Sequence, residues 1–255
     1  MIIVSSDIVK INLLINEYNT NDIERDILTK MDLSKGRYEY NSLDQLRFEL
    51  KLRKNIINAS KKLNAGDMDF STFRKSTCNL NYWDRTDEGG FTVKKGIYPS
   101  DAIRDIDINS SKYATECATA MVIIYYQALL NIYDDKLFNK VFPEIQLMNW
   151  HYLNTPIEDV GYISKRSDYL PGDRQYFNNP DVNPTTPEWQ GENVINLANE
   201  LYFGHGIGIG NADQIINELN DNRKEKAKIS AYLLDSAGRP DFIYLADIYN
   251  ESKIR

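Results

Sequence analysis

The 255 residues, 42% of them hydrophobic, suffice to bury a sizeable core, and the length fits a single domain over 1-255. With 37 acidic against 30 basic side chains the net charge is -7 at pH 7, a balance that repels a phosphate backbone, and no basic patch overrides it, so no nucleic-acid partner is expected. A membrane or export role fits no better: Met1 to Lys10 lacks the basic and apolar regions of a secretory signal, and the longest uncharged stretch, Cys117 to Tyr133, carries polar residues such as Gln127 and Asn131 and is shorter than the ~20 apolar residues of a membrane span.

In chain order, Ile2-Ile3-Val4 reads as an opening strand, followed by an acid-rich helical segment to about Met31. A longer helix starts at Ser42: Ser42 and Gln45 fit a capping box, Leu46, Leu50 and Ile57 share a face, and Gly66 offers a left-handed stop. Aromatic and β-branched residues on either side of Gly89-Gly90 predict two extended segments joined by a tight turn. Ser100 is the expected N-cap of a short helix with Asp101 and Asp105 suited to its dipole. Tyr113 to Tyr133 is apolar nearly all round, which predicts a buried central helix. A loop with Pro171, Pro180, Pro184 and Pro187 leads to two apolar β-type runs, Asn193 to Leu197 and Leu201 to Ile209, then a helix from Ala212 to Leu219 and a charged stretch from Asn220 to Lys228. Gly204, Gly206, Gly208 and Gly210 match neither nucleotide-binding glycine spacing and read as one close-packed strand.

Two cysteines, Cys78 and Cys117, cannot form a disulfide framework and are expected as free thiols. Cys117 falls where the apolar helix begins, and free N-H groups at a helix start stabilise a thiolate; a buried structural cysteine is the alternative. Glu116 beside it disfavours a thiolate, unless burial turns its carboxyl into a proton carrier; an ordinary helix-start glutamate remains the plainer reading. Any Cys-His pair must draw on His151 or His205, which spacing does not rank. No metal-ligand spacing occurs, the faint calcium loop from Asp84 has Lys95 where a bidentate glutamate is needed, and G-x-S-x-G is absent, so no cofactor and no metal are expected.

The run Y-A-T-E-C-A-T-A-M-V-I-I-Y-Y from Tyr113 to Tyr126 resembles the nucleophile helix of the bacterial spore-coat protein-glutamine gamma-glutamyltransferases, and W-Q-G-E-N-V-I from Trp189 to Ile195 resembles their second signature. F-E-L-K-L-R from Phe48, A-I-R-D-I from Ala102, W-H-Y from Trp150, G-D-R-Q-Y-F-N-N-P from Gly172 and H-G-I-G-I from His205 follow in the family's order. The resemblance runs from Met1 to about Leu234, and the tail from Asp235 to Arg255 departs from it.

That resemblance implies an α+β, papain-like core with N-terminal helical additions, in which the nucleophile heads a central buried helix packed on an antiparallel sheet. Cys117 would be the nucleophile, and Glu192, at the start of a strand, would stand where related cysteine hydrolases have histidine. Glu116 would be a second, assisting carboxylate, with His205, Trp150 and Trp189 supporting the substrate passage; Cys78 matches no family nucleophile. The implied activity is calcium-independent formation of gamma-glutamyl-epsilon-lysine cross-links between glutamine- and lysine-bearing spore-coat proteins, in the mother-cell cytoplasm and the coat. A carboxylate is a poor base for a thiol unless burial raises its proton affinity, so Glu192 is expected to be desolvated. A papain-like amidase or peptidase acting through Cys117, and a noncatalytic coat protein whose 17 tyrosines supply contacts, are the alternatives.

Overall fold

The computed structural model describes residues 1–254, so Arg255, the last residue of the expected domain and tail, lies outside the described residues. Its axis is the helix Cys117–Leu130, whose residues from Ala118 to Leu130 are all buried. A helix without a polar face can exist only where other elements cover it on every side. The long helix Leu43–Ala65 covers one side with Phe48, Leu52, Ile56 and Leu63. Leu46 and Leu50 lie on the same stripe as Ile57 but pack a turn or more earlier against Ile2, Ile27, Leu28 and Met31, so one face serves two apolar clusters along its length.

Capping departs from expectation in three places. Ser42 Oγ accepts the Gln45 N-H at 3.3 Å, but Gln45 Oε1 accepts from Asn41 N-H, at 2.7 Å, so the reciprocal bond is displaced by one residue. Gly66 is extended, with φ -86°; its N-H closes the helix on the Lys62 and Leu63 carbonyls, and a Cβ there would meet Ser110 Oγ at 3.3 Å. The helix Pro99–Ile108 is capped by Tyr98, not Ser100: Pro99 pre-sets the first helical φ, and the Ser100 hydroxyl accepts from Asn139 Nδ2 at 2.9 Å.

A five-stranded antiparallel sheet lies against the central helix, in the order Gly208–Asn211, Leu201–Gly204, Gly191–Asn196, Arg174–Asn178 and Tyr232–Leu233. Ile195 and Phe203 face the main core, while Phe177 and Val194 on the other face pack under Ile215 and Leu219 of the helix Ala212–Asp221. The run expected as one strand from Leu201 to Ile209 is a hairpin, because Gly206 and Gly208 take φ of +104° and +94° and turn the chain back. The hairpin around Gly89-Gly90 forms as expected, pairing Trp83–Arg85 with Phe91–Val93, and Gln146–Leu147 adds a third strand. A short parallel pair, Asp69–Phe70 with Ala114–Thr115, fixes the chain immediately before Cys117.

The tail is integral to the fold. The helix Phe242–Ile254 buries Phe242, Leu245 and Ala246, and Tyr133 Oη donates to the Leu245 carbonyl at 2.8 Å. Beneath it lies an ion cluster: fully buried Arg53 pairs with Glu49 and Asp173, each at 2.8 Å, and stacks 4.6 Å from the Phe242 ring, while Arg239 pairs with Asp173 at 2.7 Å. No helix among the described residues is long and apolar enough to cross a membrane.

Candidate active site

The strand Ala114–Thr115 delivers the chain to Glu116, which is extended at φ -84°, ψ 170° and caps the central helix. Its carboxylate accepts the N-H groups of Ala118 at 2.5 Å and Thr119 at 2.7 Å, and the Thr119 hydroxyl also donates to it. The helix start therefore does not present free N-H groups to the sulfur, as the sequence suggested; a carboxylate has taken two of them. The Cys117 thiol is pushed well up, by burial first and then by the neighbouring Glu192 and Glu116 charges. A donor works against that shift: Asn193 Nδ2 lies 3.4 Å from Sγ.

Cys117 is half-buried and opens into a cavity of about 640 Å³ walled by Phe70, Trp150, Ile163, Arg174 and Tyr176, with Glu188 and Gln190 exposed at its edge. Arg174 donates from Nη1 to Asn193 Oδ1 at 2.9 Å and from Nε to the Val160 carbonyl at 3.0 Å, and its guanidinium sits 4.3 Å from the Trp150 ring centre. Thr119 Oγ1 accepts the Asn149 N-H at 2.8 Å, and Asn149 Oδ1 accepts that of Trp150, also at 2.8 Å. The helix headed by Cys117, the Trp150 turn and two sheet strands are thus linked around one opening.

Glu192 is 4% exposed, and its Oε1 has no hydrogen-bond partner among the described residues. Burial raises its proton affinity well above the usual carboxylate range and the Glu116 charge adds to this, while the His205 backbone N-H opposes it. The expected desolvation is present. Successive strand residues point to opposite faces, and it is Asn193, not Glu192, whose side chain bonds Sγ; Glu192 does not line the cavity. Its side chain instead crosses Gly204, where a Cβ would come 2.7 Å from Glu192 Cγ, which explains that glycine.

His205 is buried, with Nε2 3.1 Å from the Asp69 carbonyl, and burial pushes its proton affinity down to about 4. His151 is exposed, so the structure gives neither histidine a hydrogen bond to Sγ among the described residues. Trp150 walls the cavity directly. Trp189 stands one layer back, its ring 6.3 Å from that of Phe70. Cys78 is buried and its thiol is raised to about 11, by burial above all.

Asn193, Arg174, Tyr176 and Phe70 were not singled out from the sequence. Three of them sit inside quoted motifs, Asn193 in W-Q-G-E-N-V-I and Arg174 and Tyr176 in G-D-R-Q-Y-F-N-N-P, but only the strand register, which sets Asn193 opposite Tyr176, shows that those motifs meet.

Comparison with known proteins gives concordant matches. A family model described as protein-glutamine gamma-glutamyltransferase matches residues 1–249, which takes in most of the tail that the sequence resemblance left outside. Curated proteins of that name from Bacillus mycoides and Bacillus cereus are 44% and 43% identical over 235 residues, covering 89% of this chain and 84% of theirs. The solved transglutaminase from Geobacillus stearothermophilus, without its C-terminal extension, superposes with a TM-score of 0.76 at 47% identity, over 80% of this chain and 97% of that one.

Proposed function

This chain belongs to the protein-glutamine gamma-glutamyltransferase family, and from that premise we propose that it joins protein glutamine side chains to lysine amines through a Cys117 thioester, as one catalytic unit spanning the chain. The observation that carries the reading is a half-buried thiol opening into an apolar-walled cavity beside carboxyl groups whose environment suits them to hold a proton.

In the first half-reaction, Cys117 passes its proton to Glu192, and the sulfur bonds to the glutamine carboxamide carbon. The C-N bond then breaks, and the proton leaves with nitrogen as ammonia. In the second, a neutral lysine amine attacks the thioester carbon, gives a proton to Glu192, and the sulfur departs and is reprotonated. Atoms balance as carboxamide plus amine giving isopeptide plus ammonia. Transfer from thiol to carboxylate moves a charge within the buried cluster without adding one, so its desolvation cost is not incurred a second time. Glu116 assists by holding the helix start and raising the proton affinity of Glu192. Because the Glu192 side chain does not touch Sγ directly, transfer requires a side-chain rotation or one bridging water.

The first oxyanion donor in this scheme is the backbone N-H of Cys117. Trp150 and Phe70 shield the thioester from water at about 55 M, which would otherwise outcompete an amine. His205 and Trp189 support this wall from behind Phe70, whose ring lies 6.0 Å from His205 and 6.3 Å from Trp189. The family's protein substrates carry glutamine and lysine. We assign this chain to the spore-coat branch, acting on coat proteins in the mother-cell cytoplasm and the coat, on the strength of the Tyr113 to Tyr126 and Trp189 to Ile195 motifs. Calcium-independent action belongs to the same reading and is supported by Lys95.

The deciding assay offers a glutamine-bearing protein and a labelled primary amine. Amine incorporation lost in Cys117→Ala is the expected result; ammonia release without incorporation would instead make the protein an amidase, an incorporation rate unaffected by Cys117→Ala would end the Cys117 thioester account, and neither incorporation nor ammonia release in the wild type would end the enzymatic one.

A further inference from the structure

Arg174 is 3% exposed, yet no salt bridge joins it to a carboxylate among the described residues. Its hydrogen-bond acceptors are a backbone carbonyl and an amide oxygen, and its guanidinium plane is covered by Trp150. Arg53 and Arg239, buried nearby, each hold carboxylates. A cation removed from water without a counter-ion is costly, and burial accordingly depresses the proton affinity of Arg174. The groups that could offset its charge are the buried Tyr125 hydroxyl and, across Asn193, the Cys117 sulfur with Glu116 and Glu192 behind it.

Asn193 is the connection. An arginine can only donate, so the amide atom it meets must be the oxygen, and the amide nitrogen is then the atom left to face Sγ. An N-H donor favours the thiolate over the thiol, and the effect is stronger when the donor is polarised by a cation on its oxygen.

We infer that Arg174 is a positioning residue for this reaction: it locks the Asn193 amide with Nδ2 toward Cys117 Sγ and supplies the positive charge that the attacking and departing thiolate otherwise lacks. The inference rests on the thioester reading above, but its test does not. The rate of Cys117 alkylation by iodoacetamide, followed by peptide mass spectrometry as a function of pH, reports thiolate formation without any substrate.

In Arg174→Met the alkylation rate at pH 8 is expected to fall about tenfold, with the profile displaced to higher pH. The kcat for ammonia release from a glutamine peptide should fall about 100-fold while KM stays within about threefold. Arg174→Lys, which restores the charge but not the fork, should lie between wild type and Arg174→Met. Asn193→Ala should match Arg174→Met, and the double variant should be no more than about twofold slower than either, because both act on one contact. A wild-type alkylation profile in Arg174→Met, a loss confined to KM, or multiplying effects in the double variant would overturn the inference. If Arg174→Met does not fold, an unmoved profile in Asn193→Ala or a wild-type kcat in Arg174→Lys does the same. A wild type that alkylates at Cys117 but forms no cross-link would sink the transferase reading alone.

Discussion

Asp173 and Arg174 are neighbours in sequence but belong to two different buried charge clusters. Asp173 holds Arg53 and Arg239, and that cluster fastens the long helix, the sheet and the C-terminal helix with every carboxylate matched to a guanidinium. One step along the chain, Arg174 faces the cavity of Cys117, whose thiol is flanked by the buried carboxyl groups of Glu116 and Glu192, and among the described residues no carboxylate pairs with the guanidinium. Paired charges neutralise each other and act as fasteners, although an apolar substitute often serves as well. Unmatched acids are pushed toward their protonated forms and become able to carry a proton.

The sharpest separation of the two clusters comes from their most extreme variants. Cys117→Ala should lower cross-linking by at least about 10⁴-fold and leave the unfolding midpoint near wild type. Asp173→Ala strands two guanidinium groups and should cost about 3–5 kcal/mol in denaturant unfolding, with Cys117 alkylation of the folded protein unchanged. A stability-neutral Asp173→Ala would dissolve the distinction.

Glu192→Gln should lower cross-linking about 100-fold while making Cys117 alkylate faster at pH 8, because the removed charge is one that holds the thiol up. Both rates falling together would show that Glu192 does not bear on the thiol electrostatically.

The next effect is on stability. His205 is held neutral, its folded proton affinity depressed from 6.5 to about 4. The unfolded chain thus binds the extra proton first, so this contribution is complete above about pH 6.5 and is lost as pH falls toward 4, at up to about 3 kcal/mol. His205→Gln should flatten the fall in stability over that window; an unchanged slope would assign it to other groups.

The smallest expected effect is at the wall. Trp150→Ala should raise glutamine hydrolysis relative to cross-linking by several-fold, roughly 3 to 10, by admitting water. An unaltered ratio would remove Trp150 from the shielding role.

Much of this was legible residue by residue. The buried helix behind Cys117 follows from a run of side chains with no polar face, and the hairpin at Gly89-Gly90 from β-branched and aromatic residues flanking a turn. Local signals failed where a distant group competed for the same atoms. Ser100 does not cap its helix because Asn139 uses its hydroxyl, and the glycines from Gly204 to Gly210 form a turn and a space for Glu192 where the sequence suggested one strand.

Sequence alone determined the central helix, which depends on side-chain type and periodicity, and through the family resemblance it supplied Cys117 as nucleophile candidate with Glu116 and Glu192 as its carboxyl partners. Tertiary structure alone decided that Asn193 and not Glu192 touches the sulfur, and that Arg174 stands without a counter-ion among the described residues. These are consequences of strand register and burial, which bring together residues 57 to 76 positions apart (117 to 174 and 117 to 193) and which no local pattern encodes.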